Sequence, residues 1–339
     1  MTMPFHDVLG QQHAIETLQR GLGRGRLHHA LLFYGPDGVG KELTALALAC
    51  AIVCTAAPGQ GCGSCSACHR ALSGESEGSG VPLHPDVVIV ERGLYPKEVL
   101  GRTTDEKTDI SVDQIRRVVL ERIALTPHEA PQRIVIIRRA EEMNDAAANA
   151  LLKTLEEPPS HTRFVLVSSR PGELLPTIRS RTQPLRFAAL SDAIVEQILR
   201  GRGVDAARAH EVAPFAGGSV EVALALSDPD AARERAAAVD ALRAARRGPL
   251  IKLLEVSAGY ANSGDDRRRL SRHVGAVRAA EATELRRLVM AGRDGAELDA
   301  VLATYDSAIE VAEALVQNAN VPLALEAAWR GRLRVPRRD

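Results

Sequence analysis

The segment that most constrains this chain is a glycine-rich loop set between an apolar strand and a helix. Residues 35–42 read GPDGVGKE, after the apolar run ALLFY at 30–34 and before an Ala- and Leu-rich segment that predicts a helix over 42–53. This order is typical of a phosphate-binding loop, because glycines let backbone N–H groups close around phosphate oxygens beside a helix N-terminus. The residues predicted to bind a nucleotide phosphate are Gly35, Pro36, Gly38, Gly40 and Lys41.

The loop departs from the usual pattern at the position that binds magnesium. In a hydrolysing P-loop protein, Ser or Thr follows the lysine and ligates Mg²⁺. A later apolar strand then ends in an Asp that holds the ion and a Glu that activates water. Here Glu42 follows Lys41, and the strand RIVII at 133–137 is followed by Arg138 and Arg139. An arginine can neither ligate Mg²⁺ nor take a proton from water. The sequence therefore predicts that the chain does not hydrolyse ATP at its own site.

Two expectations follow for the side chains around this position. Glu42 and Arg138 are charge-complementary, and we expect them to form an ion pair where the metal would lie. Two unrelated solvent-facing side chains are the alternative. Glu141 and Glu142 lie past the end of the strand, and we expect them to face elsewhere. The sequence leaves open whether ATP binds without hydrolysis or the glycine loop is only a relic of the fold.

Four of the five cysteines are clustered after the helix predicted at 42–53. Their spacing, C-x7-C-x2-C-x2-C, lets the thiolates converge on one tetrahedral ion with no open position, as in a structural zinc site. Free thiols or redox pairs are the alternative. Cys50, one helical turn earlier, is better explained as a small buried core residue, and His69 is not needed as a ligand. The predicted zinc ligands are Cys54, Cys62, Cys65 and Cys68.

The hydrophobic pattern divides the chain into three parts and predicts an α/β fold followed by an all-α region. Up to about residue 188, helices alternate with continuously apolar strands, which is typical of a parallel sheet covered on both faces. Ser111 and Ser191 are predicted to cap two of the helices. We expect a small helical domain over 189–228 and an all-helical domain over 229–339. The predicted strands are residues 30–34, 86–90, 133–137, 164–168 and 184–187.

The charge balance argues against a globally basic nucleic-acid binder. Lys plus Arg and Asp plus Glu both number 43, so the formal net charge is zero and any DNA contact must come from a local patch. Arg116, Arg117 and Arg122 form one such patch on a predicted helix, for which a solvated face is the simpler interpretation. The arginine-rich stretches 243–247 and 267–272 are likewise expected at the surface. No apolar run is long enough to span a bilayer, which predicts a soluble, cytoplasmic protein without membrane contact.

A few other segments are assigned by composition or position alone. Residues 73–80 (SGESEGSG) are predicted to form a flexible loop, and residues 95–108 a polar, charged excursion. His28 and His29 precede a strand and are expected to be structural. Trp329 is expected to pack within the helical part or at an interface of that part.

Several motifs together resemble the bacterial clamp-loader subunits of the AAA+ class. The resemblance is dense over residues 4–187 and implies an AAA+ nucleotide-binding-like domain over 1–188 with a zinc module at about 50–70. It further implies a helical lid over 189–228 and a helical collar, the oligomerisation domain, over 229–339. The motifs are FHDVLGQ at 5–11, RLHHA at 26–30, AANALLKTLEEPP at 147–159, PTIRSRT at 176–182 and NANVPLALE at 318–326.

Two subunit types share these motifs, an ATP-hydrolysing motor and a subunit that does not hydrolyse ATP. The motor has Thr after the P-loop lysine, an Asp-Glu pair after the third strand, and an arginine in the lid. This chain has Glu42, Arg138, Arg139 and Glu221 at those positions. The four departures favour the non-hydrolysing type, and the gamma/tau-type motor is the alternative. A different AAA+ protein, such as a recombination or remodelling factor, fits the ALLKTLEEPP segment less well.

The resemblance also assigns a role to Arg181. In this family the arginine of a Ser-Arg-Cys motif reaches the ATP of the neighbouring motor subunit, and here Thr182 replaces the cysteine. Arg179 is the rival by position, and capping a helix or pairing with an acid is the alternative role. The implied partners are gamma/tau and delta clamp-loader subunits, the sliding clamp through the complex, and primer-template DNA. The chain would then lack an ATPase of its own and be a subunit of a DNA polymerase holoenzyme.

Overall fold

The structure is a computed structural model that describes residues 4–76, 80–101, 109–316 and 319–329. Parts of the predicted loop 73–80 and excursion 95–108, and Asn318 of the NANVPLALE motif, lie outside the described residues. The chain divides into two compact units, residues 1–224 and 225–339. The predicted lid therefore belongs, up to residue 224, to the same unit as the sheet, and the division into three domains stays a prediction.

The first unit is built on a parallel sheet of five strands in the order β2-β3-β4-β1-β5. Both neighbours of β4 run parallel to it, with Ala30 of β1 opposite Phe164 and Val135 of β3 also opposite Phe164. The central strands β1, β3 and β4 are largely apolar because they are buried on both faces, whereas the edge strand β5 is polar and mostly exposed. The predicted strands are confirmed as β1 (Ala30–Tyr34), β2 (Val87–Val90), β3 (Arg133–Ile137), β4 (Thr162–Ser168) and β5 (Gln183–Arg186).

Helices cover this sheet. The side chains of Ser111 and Ser191 accept hydrogen bonds from the backbone N–H of Gln114 and Ile194, which confirms both predicted caps. Helix α5 contains a π-helical stretch in its middle. The helices of this unit are α1 (Gln12–Gly23), α2 (Lys41–Val53), α3 (Ser66–Ser76), α4 (Lys97–Leu100), α5 (Val112–Gln114, Ile115–Leu120 and Glu121–Ile123), α6 (Asp145–Glu156), α7 (Pro176–Arg179), α8 (Asp192–Gly201), α9 (Ala206–Val212) and α10 (Val220–Ser227).

The second unit is helical, as predicted, and its core surrounds a fully buried tryptophan. Trp329 donates its indole N–H to Leu242 O at 2.8 Å, and Arg246 donates to Ser307 Oγ at 2.8 Å and to Trp329 O. Trp329 therefore packs within the helical part. The helices are α11 (Pro229–Arg247), α12 (Leu250–Ala258), α13 (Gly264–Met290), α14 (Ala296–Val316) and α15 (Val321–Trp329).

Several arginines of this unit are half-buried, and their side chains contact other helices instead of facing only solvent. Arg243 bonds the buried Glu281 at 2.6 Å, and Arg267 donates to Leu315 O at 2.9 Å, near the C-terminal end of α14. Burial lowers the pKa of Arg246. Arginine density marked these stretches as polar, but amphipathic arginine side chains can bury their stems while their guanidinium groups join helices. Within the described residues, no helix combines the length and the apolar character needed for a membrane span.

One buried acid holds the edge of the sheet beside β2. Asp86, fully buried, accepts backbone N–H groups from His128, Glu129 and Ala130 at 2.7–2.9 Å and faces Arg133 Nη2 at 3.3 Å. Burial alone would raise the pKa of Asp86, but the three N–H donors and the guanidinium outweigh it and lower that pKa. Asp86 thereby fastens the loop over residues 124–132 to the sheet.

We predict that Asp86→Asn lowers the free energy of unfolding by about 3 kcal/mol at neutral pH, because it leaves Arg133 unpaired and presents an amide donor to backbone donors. The lowered pKa means that the carboxylate stabilises the fold above its ordinary pKa of about 3.9. Wild-type stability should fall as pH drops below that value, and the variant should lose this part of the acid dependence. Denaturant titrations from pH 3 to 7 measure both effects. Asp192→Asn, an exposed first-turn residue, is the control, and an equal loss there would contradict the prediction.

Candidate functional site

The glycine loop follows β1 and folds closely against two other segments of the first unit. A side-chain Cβ at Gly35 would lie 2.2 Å from Phe187 O, and one at Gly38 would lie 2.3 Å from Ser219 Oγ. Both glycines also have positive φ, at 151° and 71°. Val220 N–H donates to Gly38 O at 2.9 Å, so the start of α10 lies directly on the loop. Only glycine fits these two positions, for reasons of space as well as backbone conformation.

The side chain of the P-loop lysine points back into the glycine loop. Lys41 is 5% exposed, and its ammonium donates to Gly35 O at 2.7 Å and to Pro36 O at 2.5 Å. Asp37 Oδ1 lies 3.7 Å away. Burial lowers the pKa of Lys41, and the nearby carboxylates oppose this effect without cancelling it. A phosphate would therefore have to replace backbone carbonyls as the partner of this lysine.

A cleft of about 1060 Å³ opens beside the loop. Part of its wall is apolar, and the rest is polar and includes Lys41, Glu42 and Arg139, which the sequence analysis singled out. Glu221 lies in this wall, at the lid position where the motor type has an arginine. The apolar lining residues include Val8, Leu9, Leu190, Ile198 and Leu224, and the polar ones include Lys41, Glu42, Arg139, Ser168, Ser169 and Glu221.

The predicted ion pair between Glu42 and Arg138 is present. Arg138 is 7% exposed, and its Nε lies 3.7 Å from Glu42 Oε2. Its Nη1 donates to Glu91 Oε2 at 3.2 Å. Sequence reasoning missed Glu91, although it directly follows β2. Because β2 and β3 are parallel neighbours, the residues after them meet at one edge. One guanidinium is thus held by two carboxylates.

Arg139 takes an unusual backbone conformation at the cleft. Its φ is +45°, the one positive φ among the described non-glycine residues, and such a conformation costs a non-glycine residue about 1 kcal/mol. Its Nη1 lies 3.7 Å from Glu142 Oε1, and Arg92 Nε lies 3.4 Å from Glu142 Oε2. Burial lowers the pKa of Arg139, but the carboxylates of Glu142 and its neighbours raise it overall. The cleft therefore carries the Arg139 guanidinium, at the position where the resemblance places a glutamate in the motor type.

Glu141 contacts residues that line the cleft, although it does not itself line the cleft. A short 3-10 turn, Ala140–Glu142, directs its side chain back over the sheet edge. One carboxylate oxygen accepts Ser169 N at 3.1 Å and Ser169 Oγ at 2.9 Å, while Oε2 is buried without a hydrogen-bond partner. Burial raises the pKa of Glu141, but these donors and Ser168 outweigh it and lower the pKa. An ionised carboxylate therefore lies against two serines that line the cleft.

The four predicted zinc ligands converge. Their Sγ atoms all lie within 4.8 Å of one another. Backbone N–H groups point at the sulfur atoms of Cys54 and Cys62 at 3.2–3.4 Å. Burial opposes ionisation of Cys65, but donors from Cys68 and Thr55 prevail and lower the pKa of Cys65 to about 5. Four converging sulfur donors fit a closed tetrahedral metal site.

Neither competing ligand belongs to this cluster. Cys50 is fully buried, and burial raises its pKa to about 12, as expected for a thiol in the core. His69 is exposed and lies outside the group of four. The described residues thus offer four cysteine ligands and no fifth.

Arg181 lies at the opposite edge of the sheet from the glycine loop. It precedes the amino end of β5, whereas the loop follows the carboxyl end of the parallel β1. Its Nη1 donates to Thr177 O at 3.0 Å, and its Nη2 contacts the Glu156 carboxylate. A shallow cavity of about 680 Å³ borders these residues. His29 Nε2 bonds Leu155 O at 3.0 Å in its wall, a structural role as expected.

The candidate DNA-facing arginines lie on α5. Arg116 and Arg117 are exposed on its π-helical stretch, and Arg122 is exposed near its end. π-helical turns are frequent at functional sites, and the three arginines are free to contact solvent.

A parallel sheet with a glycine loop at its carboxyl edge, a lid on that loop and a following helical region is an AAA+ P-loop fold. The family model described as "DNA polymerase III, delta subunit" matches residues 10–191, more than half of the chain. The chain therefore belongs to this family of clamp-loader AAA+ proteins.

Known proteins of two subunit types are similar to it. DNA polymerase III subunit delta' of Pseudomonas aeruginosa is 35% identical over 65% of this chain and 62% of its own length. Subunit tau of Bacillus subtilis is 32% identical over 66% of this chain and 37% of its own length. The chain thus spans less than two thirds of either relative. Among solved structures, a gamma subunit-related protein of Thermotoga maritima is 18% identical and covers 94% of this chain and 98% of its own, with a TM-score of 0.42.

We predict that the purified chain binds one zinc ion, and that Cys65→Ser reduces the bound zinc and lowers the melting temperature. Structural zinc contributes directly to folding free energy because four thiolates converge only around the ion. Cys50→Ala is the matched control, a buried cysteine outside the cluster. Metal analysis of both variants measures the effect. Zinc loss from Cys50→Ala comparable to that from Cys65→Ser would contradict this ligand set.

Proposed function

We propose that this chain is a delta'-type subunit of the DNA polymerase III clamp loader, which helps to load the sliding clamp on primed DNA and does not hydrolyse ATP. The observation that carries the proposal is the Arg138 guanidinium held between Glu42 and Glu91. In a hydrolysing P-loop protein, the groups at positions 42 and 138 would hold Mg²⁺. Here the Glu42 carboxylate and the Arg138 guanidinium pair with each other.

Charge explains why this arrangement opposes hydrolysis. A bound magnesium ion would add two positive charges beside the outer phosphates, whereas Arg138 adds one and is already paired with two carboxylates. Glu42 lies in the first turn of α2, where its carboxylate itself interacts favourably with the helix N-terminus and competes with phosphate. Magnesium-dependent charge stabilisation is the largest part of phosphoryl-transfer catalysis. Without that ion the cleft would hold a nucleotide, if at all, without turning it over.

The alternative is an ATP-hydrolysing gamma/tau-type motor, and one observation favours it. Glu141 is an ionised carboxylate against the serines of the cleft wall, with one oxygen free of hydrogen bonds. A general base needs such a carboxylate near the attacking water. Against this, Arg139 rather than a glutamate lines the cleft, and neither position 42 nor position 138 carries a motor residue.

The proposed partners are gamma/tau and delta subunits, with the sliding clamp and primer-template DNA engaged through the complex. Exposed aliphatic side chains on the helical unit support contact with another subunit. They lie on α12 and α15, two helices that pack together, and exposed apolar surface of this kind marks interaction sites. The residues are Leu250, Ile251, Leu254 and Leu323. We further propose that the ion of the cysteine cluster is Zn²⁺.

Arg181 is proposed to act on the ATP of a neighbouring motor subunit. Its contact with Glu156 is partly exposed, with side chains 32% and 47% accessible. Exposed pairs of this kind are worth about 0–1 kcal/mol. An arginine supplied in trans is worth about 10³–10⁵ in rate, or roughly 4–7 kcal/mol. The ion pair with Glu156 is therefore too weak to prevent the arginine from reaching a phosphate.

We predict that the purified chain turns over no more ATP with Mg²⁺ than its Lys41→Ala variant, which removes the P-loop ammonium and reports contaminating activity. Glu141→Gln should likewise leave the rate unchanged. Steady-state phosphate release measures all three proteins. Turnover by the wild type that disappears in both variants would instead support the motor, with Glu141 as the base.

We predict that Arg181→Ala lowers ATP turnover by the reconstituted clamp loader, whereas Arg179→Ala does not. Turnover at the one neighbouring motor site should fall about 10³-fold or more. The complex should therefore lose the part of its ATP turnover that this site contributes. The measurement is steady-state ATP hydrolysis by complexes whose assembly has been verified by size-exclusion chromatography. Unchanged turnover with Arg181→Ala, or an equal loss with Arg179→Ala, would contradict the assignment.

A further inference from the structure

Arg70 connects the cysteine cluster with a distant loop. It lies on α3, two residues after Cys68. Its guanidinium forms a two-pronged contact with Glu129, with Nη1 to Oε1 at 2.8 Å and Nη2 to Oε2 at 2.5 Å. Two parallel hydrogen bonds of this kind fix the orientation of both groups. The side chain thus joins the cysteine module to the loop over residues 124–132.

The backbone of the same residue makes a second connection. Arg70 O accepts the N–H groups of Leu83 and His84 at 3.0 and 3.2 Å. His84 is 2% exposed, and its Nδ1 accepts Asp86 N–H at 3.1 Å. Asp86 is the buried acid that holds the 124–132 loop from the inside. Arg70 therefore reaches this loop both directly and through the start of β2.

No apolar side chain of the loop is fully buried, and these polar contacts hold the loop in place. Arg133 donates to the carbonyls of Leu125 and Thr126 at 2.9 and 3.2 Å, and also to Arg122 O at the end of α5. Leu125 is 67% exposed. The inner side of the loop is bound to the sheet by a buried ion pair, and its outer side is bound to α3 by Arg70.

The position of α3 depends in turn on the cysteine cluster. Cys65 directly precedes the helix and Cys68 lies in its first turn, while Cys54 directly follows α2. Converging thiolates repel one another unless an ion neutralises them. Helix α3 also packs against α2, so a bound metal ion would additionally tie the start of α3 to the end of α2, and its removal would loosen that start.

We propose that metal binding at the cysteine cluster is transmitted through Arg70 to the 124–132 loop and so to the end of α5, the helix that carries the exposed Arg116 and Arg117. The cysteine module then affects more than its own surroundings, because metal binding there determines how stably the 124–132 loop is held against the sheet. By linkage, the coupling is reciprocal: whatever the metal contributes to closing the loop, the closed loop contributes to metal affinity.

Hydrogen exchange of the full chain tests this inference. The informative amides are those of His128, Glu129 and Ala130, which bond to Asp86. Removing zinc with a chelator should speed their exchange several-fold while the amides of β1 and β4 keep their protection. Arg70→Gln with zinc bound should produce a comparable change, because it removes the direct contact and leaves all four cysteines in place.

The matched control is Arg170→Gln, which removes an exposed arginine pair with Glu173 at 2.9 Å elsewhere in the same unit. Arg70→Gln should also weaken zinc affinity several-fold in a chelator competition, and Arg170→Gln should not. Equal zinc affinity and equal exchange in the two variants would overturn the proposal. So would faster exchange over residues 62–72 after chelation with no change at residues 128–130.

Discussion

The carboxyl edge of the parallel sheet is the constraint on which the rest of the first unit depends. In the order β2-β3-β4-β1-β5, strand β4 lies between β1 and β3, and parallel strands deliver the residues that follow them to one edge. The glycine loop, Glu91, Arg138 and Ser168 meet there although they are far apart in the chain. Each of these groups acts on the others only because the sheet has this order.

At that edge, under the proposed function, charged groups of the chain take the place that Mg²⁺ has in a hydrolysing P-loop protein. The charge of Arg138 is balanced by Glu42 and Glu91, and the Lys41 ammonium is satisfied by loop carbonyls. Each of these polar groups therefore has a hydrogen-bond or ion-pair partner within the chain. This is the physical basis for proposing a subunit that keeps the shape of a nucleotide cleft without the chemistry of a motor.

The two edges of the same sheet can then carry separate roles. The cleft is at the carboxyl edge, and Arg181 is at the amino end of β5, on the opposite side. Under the proposed function, a cleft without hydrolysis at one edge leaves the arginine at the other edge able to act on a neighbour, because that action does not require a working site in this chain. The cysteine cluster and the loop held by Asp86 lie outside both sites and bear on the position of α5.

Local pattern was enough to predict much of this protein. The five strands, the caps at Ser111 and Ser191, the convergence of four cysteines and the pairing of Glu42 with Arg138 all followed from spacing, apolar runs and one known relation between two positions of a P-loop. These features depend either on backbone periodicity or on a motif that already determines which residues come together.

Only the tertiary structure decided which partners meet across the chain. Glu91 is 47 residues from Arg138, Glu129 is 59 from Arg70, and the Trp329 carbonyl is 83 from Arg246. The direction of Glu141 depended on a 3-10 turn that no periodicity signals. Composition identifies such residues as charged, but their partners are set by strand order and helix packing, because a charged side chain is buried only where another element supplies the opposite charge or a hydrogen bond.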